Sequence, residues 1–226
     1  MFDVGMWREI FQSVNKNKTR SILSGFTVAF AILLFTLLFG IANGLENTFK
    51  QFFGDDAQNA IYINSGKSTI AYKGLQMGRQ IQFTNDDLKF LEKEFKGQIQ
   101  YRTSRVSRSM DIAYKMEKAN YSCTAVLPDA RYIDKAEIIK GRFINEKDVA
   151  DANRVAVIGR LVEEDLFIVE SALGKYVNIG GIAYKVVGVF SDDGGDREER
   201  GVYLPLKTLQ NIYGANQDID AIDITY

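Results

Sequence analysis

Residues 21–45 read SILSGFTVAFAILLFTLLFGIANGL, and this stretch decides how the rest of the chain is organised. It carries no charge and is bounded by Arg20 and Glu46. As a helix it would span about 37 Å at ~1.5 Å per residue, whereas a bilayer's hydrocarbon core is about 30 Å thick. We therefore predict a transmembrane helix. A cleaved signal peptide has a shorter apolar core, and a buried helix of a soluble protein would usually show a polar face.

The flanking charges predict the orientation of this helix. Four cations precede it, and the first cation after it stands among carboxylates: Arg8, Lys16, Lys18 and Arg20, then Lys50 with Glu46, Asp55 and Asp56. Lys and Arg accumulate on the cytoplasmic side of membrane proteins. We expect a cytoplasmic N-terminus, with Arg20 at the membrane interface and everything after residue 45 outside the cytoplasm.

Residues 1–20 predict an interfacial helix and a polar elbow. Apolar side chains recur at helical spacing over 2–14, and Trp7 suits the headgroup level. Membrane lipid is the expected partner of this helix. A short cytosolic helix packed on another protein is the alternative, and residues 15–20 form the elbow that turns the chain into the bilayer.

Two features of the membrane helix and its continuation point to function. Gly40 and Gly44 form a small-xxx-small pair, which lets a second helix approach closely. No helix breaker follows until Gly54, so we predict a helical stalk over 46–56. Four side chains are assigned to the stalk: Glu46, Phe49, Lys50 and Phe53.

Composition excludes several functions. The 226 residues have a net charge of −1, so no basic field recruits nucleic acid. The absence of histidine removes the commonest general base and metal ligand, and Cys123 is the only cysteine. We expect no catalytic residue, no metal site and no cofactor.

Two motifs that suggest ligand sites do not match their patterns. Residues 65–69, SGKST, resemble the end of a phosphate-binding loop, but Ile61 stands where its first glycine belongs, and 69–72 read as a strand. The loop 191–201, SDDGGDREERG, lacks the order of a calcium loop and is expected to be a mobile surface loop. A hydrolase based on Ser65 and Lys67 is a minor alternative.

The remaining chain predicts a mixture of strands and short helices. A strand is expected at 60–64, a helix capped by Thr84 with Asp87 at its third position, and strands at 99–114 and 121–127. Arg102, Arg105 and Arg108 alternate faces on one strand and are expected at a solvated edge. A hairpin at 175–190 turns at residues 180–181. The chain stops in or just after a strand at 219–226, which suggests a fragment.

Six motifs in order carry a family resemblance: Trp7-Arg-Glu-Ile10, Asn17-Lys-Thr-Arg20, Ile139-Lys-Gly141-Arg142-Phe143, Val155-Ala-Val-Ile-Gly159, Val186-Val-Gly188-Val189 and Tyr203-Leu-Pro205. Together they cover nearly the whole chain, which resembles the N-terminal part of the MacB-like/FtsX-like ABC transporter permeases. The resemblance assigns structural roles to Gly141, Arg142, Gly159, Gly188 and Pro205.

The resemblance implies an α+β architecture. An interfacial helix and one transmembrane and stalk helix would precede a mixed α/β extracytoplasmic domain. A porter-like part would comprise 57–130 and 201–226, and a mostly β subdomain, 131–200, would be inserted in it.

The resemblance also implies a mechanism and partners. Such a protein is a non-enzymatic permease subunit of the bacterial inner membrane, with its main domain in the periplasm. It pairs with a second permease copy and with an ABC ATPase, expected here as a separate subunit. ATP-driven closure passes along the stalk, which is called mechanotransmission, and serves export or lipoprotein release. A periplasmic adaptor or substrate protein is a further partner. A membrane-anchored sensor or binding module is the alternative.

Overall fold

The computed structural model describes Gly5, Arg8 and residues 15–54, 59–168, 170–192, 195–214 and 217–226, without the side chains of 47 and 49–54. It contains two compact units, 1–50 and 51–226. Trp7 and most of the predicted interfacial helix lie outside the described residues, as do the side chains of Phe49, Lys50 and Phe53.

The first long element, α1, is one continuous helix from Lys18 to Gly54. Its 37 residues correspond to about 55 Å, well beyond the ~30 Å of a hydrocarbon core. The segment Lys18–Glu46 contains an 18-residue window with a mean hydropathy of 2.5 and is long and apolar enough to cross a membrane. Its apolar side chains are exposed all round, as lipid contact requires. The helix has no break at 45–46, so the boundary between span and stalk stays a prediction.

The described residues of the second unit form eleven strands and five helices. The strands are β1 (Ala60–Asn64), β2 (Phe83–Thr84), β3 (Tyr101–Tyr114), β4 (Glu117–Val126), β5 (Glu137–Gly141), β6 (Val155–Gly159), β7 (Tyr176–Ile179), β8 (Ile182–Ser191), β9 (Gly201–Pro205), β10 (Asp218–Ile219) and β11 (Ala221–Thr225). The helices are α2 (Asn85–Glu94), α3 (Ala130–Ile133), α4 (Glu146–Ala150), α5 (Arg160–Phe167) and α6 (Leu206–Tyr213).

Nine strands form one mixed sheet in the order β1-β11-β3-β4-β9-β6-β8-β5, and β7 pairs with both β3 and β8. The contacts of β7 close β3, β4, β9, β6, β8 and β7 into a circuit, which removes free edges between them. Strands β6 and β8, from the predicted insertion 131–200, lie in the same sheet as β9. The division into a porter-like part and an inserted part therefore stays a prediction.

Local sequence signals explain several element boundaries. The Asp87 carboxylate accepts a hydrogen bond from the Thr84 N–H at 2.7 Å, which caps α2. Pro205 precedes the first residue of α6, where its missing N–H costs nothing, and Gly214 ends that helix in the left-handed region at φ 67°. The β7–β8 hairpin turns at residues 180–181 as predicted.

Two expectations are wrong. Residues 69–72 form no strand, since only isolated bridges such as Tyr72 to Leu75 occur there. The three arginines do not line a solvated edge, because β3 lies inside the sheet between β11 and β4. Each arginine is instead ion-paired, with Arg102 contacting Glu92 and Arg108 contacting Asp220.

The core of this unit consists of two clusters of buried apolar side chains. The larger lies among the circuit strands and includes Ile112, Tyr184 and Leu204. The smaller packs Phe143, Phe190 and Tyr203 together, with the Phe143 and Tyr203 rings edge to face at 5.3 Å between centroids. Both clusters tie segment 131–200 to the strands around it.

Candidate functional site

The first and last strands of the second unit lie side by side. Strand β1 pairs antiparallel with β11, so that Ala60 is opposite Thr225. The side-chain amide of Asn59 donates to the carbonyl of Tyr226, and the Gln100 N–H donates to the Thr225 carbonyl at 2.8 Å. Strand β11 in turn pairs with β3. Asn59 is therefore joined through two hydrogen-bonded ladders to an interior strand.

A buried charge network sits where β11 meets β3. The Arg105 guanidinium contacts the carboxylates of Asp134 and Asp223, and the Tyr203 hydroxyl donates to Asp134 at 2.8 Å. Burial alone would lower the pKa of Arg105, but the two carboxylates raise it above its ordinary value. Burial beside Asp134 raises the pKa of Tyr203 well above its usual range. Arg105 thus stays charged and Tyr203 stays neutral, and the contacts of the four groups tie α3, β3, β9 and β11 together.

Three glycines of the resemblance motifs lie where backbones approach closely. A Cβ added at Gly159 would lie 2.6 Å from the Glu199 carbonyl carbon, and one at Gly188 would lie 3.0 Å from that of Arg142. Gly141 has φ 73°, and an added Cβ would meet Gly188 Cα at 3.1 Å. Because real Cβ atoms rarely come so close, these positions require glycine for packing.

The other two motif residues also have structural contacts. The Arg142 guanidinium forms an ion pair with Asp148 and donates to the Phe143 carbonyl at 2.9 Å. Asp148 also accepts from the Asn145 N–H at 3.1 Å, so Arg142 is held at the start of α4. Pro205 ends β9 and is the N-cap residue of α6.

Glu199, in the loop predicted to be mobile, is buried and fixed. Its carboxylate pairs with Arg160 and accepts from the Ser191 hydroxyl at 2.6 Å. Burial would raise the pKa of Glu199, but these partners lower it below its usual value. This part of the loop is therefore anchored, while residues 193–194 lie outside the described residues. Sequence reasoning missed Glu199, as it missed the partners of Arg105, because no local spacing links them.

The glycines of α1 face open space. A Cβ added at Gly40 or Gly44 would meet nothing within 4 Å. The two lie one helical turn apart, so they leave a shallow strip on one face. The hydroxyl of Thr36 donates to the Ile32 carbonyl at 2.8 Å, which satisfies it without water. Glu46 lies at the end of the candidate span.

A groove of about 510 Å³ lies beside β4 and α5. The Tyr121 hydroxyl donates to Asp165 at 3.1 Å, and Arg200 pairs with the same carboxylate. Burial and the Asp165 hydrogen bond raise the pKa of Tyr121 to about 12. These groups satisfy one another, so the groove offers no evident ligand site.

The described part of the chain shows no arrangement for catalysis or metal binding. No group of three or more His, Cys, Asp or Glu side chains there could hold a metal ion. No hydrogen bond joins Ser65 to Lys67 among the contacts of these described residues, so a Ser/Lys pair finds no support. Cys123 is fully buried, and burial raises the pKa of its thiol to about 12.

We expect the Cys123 thiol to be unreactive in the folded protein. At about pH 8 it should not react with a disulfide reagent, because the thiolate is the nucleophile and the buried thiol stays protonated. In denaturant it should react completely. A Met116→Cys variant provides the control, since Met116 is 94% exposed and its thiol should react at once. Rapid labelling of Cys123 in the folded wild type would contradict the described core.

Comparison with known families gives one match across most of the chain. The family model described as MacB-like periplasmic core domain matches residues 21–225. The chain is 23% identical, over 95% of its length, to the macrolide export ATP-binding/permease protein MacB of Bdellovibrio bacteriovorus, of which it covers 33%. It is 24% identical, over 92% of its length, to the uncharacterized ABC transporter permease YknZ of Bacillus subtilis, of which it covers 53%. The chain thus spans about a third to a half of these relatives.

Two solved structures share the fold. The periplasmic region of MacB from Actinobacillus actinomycetemcomitans has a TM-score of 0.64 at 23% identity, covering 76% of this chain and 77% of that one. The extracellular domain of the noncanonic ABC-type transporter YknZ from Gram-positive bacteria has a TM-score of 0.59 at 20% identity, covering 73% and 83%. The predicted α+β class, an apolar N-terminal helix followed by a mixed α/β extracytoplasmic domain, is confirmed.

Proposed function

The chain belongs to the MacB-like periplasmic core domain family, and we propose that it works as part of a permease subunit of an ABC transporter. Its relatives include a macrolide export ATP-binding/permease protein and proteins described as ABC transporter permeases. We propose that the chain itself performs no chemistry and that a separate ATPase subunit supplies the energy.

The observation that carries the proposal is the pairing of β1 with β11. A continuous α1 reaches Gly54, and the chain resumes in the sheet at Ala60. In the proposed mechanism, ATP-driven movement of α1 reaches the extracytoplasmic unit through residues 46–56 and these paired strands. The movement then serves export or the release of a substrate such as a lipoprotein. Glu46, Phe49, Lys50 and Phe53 are the proposed stalk residues.

The proposed topology places the N-terminus in the cytoplasm of a bacterial inner membrane. Four cations before the span and mixed charges after it support this orientation. Trp7 and Arg20 would mark the inner interface. We also propose that 57–130 with 201–226 and the inserted 131–200 act as two parts of the moving domain.

Gly40 and Gly44 are the proposed contact for a second membrane helix. We expect Gly40→Ile to reduce association of α1 with its neighbour, because the branched side chain fills the strip that allows close approach. Cross-linking between membrane helices in native membranes measures the effect. Gly25→Ile is the matched control, since Gly25 lies on the same helix and is equally open. Equal cross-linking in both variants would contradict the assignment of Gly40 and Gly44 as a helix contact.

Co-purification tests the proposed function as a whole. The full-length protein, solubilised from membranes in detergent, is expected to bring with it a stoichiometric ABC ATPase and a second permease copy. Purification without any ATP-binding subunit would contradict the proposal and favour a membrane-anchored sensor or binding module. A periplasmic adaptor in the same preparation would be a further partner.

A further inference from the structure

Residues 66–81 form an ordered hairpin that projects from the sheet between β1 and β2. Its two arms are joined by backbone hydrogen bonds, including Ser68 N–H to the Arg79 carbonyl at 2.9 Å and Gly78 N–H to the Ser68 carbonyl at 2.7 Å. At its tip, Tyr72 and Leu75 exchange hydrogen bonds of 3.2 and 3.0 Å across two residues with positive φ. This is the turn geometry preferred in tight hairpins.

The hairpin exposes apolar side chains that no other described element covers. Every residue from 69 to 80 is exposed. Four of them are large and apolar, with 48–74% of their surface exposed: Ile70, Tyr72, Leu75 and Met77. Single apolar residues are common on surfaces, but four large ones exposed on one short projection are a concentration of the kind that marks a binding surface.

All charged side chains of the same hairpin are basic. It carries Lys67, Lys73 and Arg79, and no carboxylate occurs between residues 66 and 82. None of the three cations is in an ion pair with any residue that the structure describes, although the Lys73 ammonium lies 5.3 Å from the centre of the Tyr72 ring. Elsewhere in the unit most arginines are paired, as the contacts of β3 show. The partner surface should therefore be acidic around an apolar cleft.

The base of the hairpin is anchored at a defined place. The Gln82 side-chain amide donates to the Ile219 carbonyl at 2.8 Å, and β2 pairs with β10. The hairpin leaves β1 at Asn64, whereas the chain enters β1 at Ala60, and the two ends are about 13 Å apart at ~3.3 Å per residue. As a narrow projection whose residues from 69 to 80 are all exposed, the hairpin suits a cleft in a protein better than a flat lipid surface.

We infer that hairpin 66–81 is the docking arm for an extracytoplasmic protein with an apolar cleft rimmed by carboxylates. Tyr72 and Met77 enter the cleft, while Lys67, Lys73 and Arg79 face its acidic rim. This inference rests on the proposed extracytoplasmic placement of the second unit, but it does not require coupling to an ATPase.

Photo-cross-linking in intact cells tests the docking arm on the full-length protein. A benzophenone amino acid replaces Tyr72 in one variant and Met116 in the control, which is more exposed (94% against 63%) but lies on the β3–β4 turn. We expect the residue 72 probe alone to form an adduct with another protein. Mass spectrometry should place the link in a peptide of that protein that combines apolar and acidic residues.

Charge reversal supplies the second readout. Lys73→Glu with Arg79→Glu should lower the adduct yield about tenfold, the loss expected for two rim contacts. The unfolding midpoint should not change, because neither side chain touches the core. An adduct with lipid or with a second copy of the chain would overturn the inference, as would no adduct or an equal adduct from residue 116. If the adduct forms but no ATPase co-purifies, the proposed transport function is contradicted and the docking arm is not.

Discussion

Replacing Arg105 with methionine is expected to destabilise the extracytoplasmic unit by about 3–5 kcal/mol. Methionine keeps much of the side chain's volume but leaves the carboxylates of Asp134 and Asp223 without their cation. The Asp223 side chain is only 2% exposed, so water cannot replace the lost contact. The free energy of unfolding, from a urea titration of the full-length protein in detergent followed by circular dichroism, measures the loss.

Two controls separate this mechanism from a general effect of mutating β3. Arg108→Met removes a pair whose partners are 49% and 37% exposed, and should cost no more than about 1 kcal/mol. Adding Asp223→Asn to Arg105→Met should restore part of the lost stability, because it removes one of the two buried carboxylate charges that Arg105 contacts in the wild type. Equal losses in Arg105→Met and Arg108→Met would show that the network is not the main stabilising contact at this position.

Gly159→Ala is expected to cost about 2–3 kcal/mol of stability or to prevent folding. The new Cβ would overlap the Glu199 carbonyl group. The Glu199 backbone has little room to retreat, because its side chain is held by Arg160 and Ser191. The backbone of Gly159 has φ −69°, which any residue adopts, so the cost comes from overlap alone. Thermal unfolding of the full-length protein measures it.

Gly66→Ala is the matched control for that substitution. A Cβ at Gly66 would meet nothing within 4 Å, and its φ is not in the left-handed region. The free energy of unfolding should therefore stay within a few tenths of a kcal/mol of the wild-type value. A Gly159→Ala protein as stable as Gly66→Ala would show that the loop at Glu199 lies farther from β6 than described.

Local features could be predicted from the sequence because their causes are local. The uncharged run 21–45 lies within one continuous helix, β1 has the expected bounds, and the cap at Thr84 and Asp87 forms as its spacing indicates. Each depends on residues within a few positions of one another. The α+β fold class was predicted from the family resemblance, because local patterns alone could not define it.

Long-range features could not be predicted. Arg105 contacts Asp223, which lies 118 residues away in the sequence, and the spacing of three arginines on β3 does not predict that partner. The sheet circuit depends on β7 pairing with two strands at once, which periodicity does not encode. Glu199 stands in a charged, glycine-rich run that is typical of an exposed loop, yet its pairing with Arg160 buries it. In each case tertiary packing overrides the local pattern.

We propose that α1 carries ATP-driven movement into the extracytoplasmic unit. To test this, a spin label is attached at Met116→Cys in both copies of the full-length permease, which is reconstituted with its ATPase. The distance between the two labels is then measured with and without trapped nucleotide. Buried Cys123 should not compete for label. We expect a nucleotide-dependent shift in wild type and in Glu46→Ala, and none in Glu46→Pro, because proline breaks the helix. The same shift in Glu46→Pro, or no shift in wild type, would contradict the account.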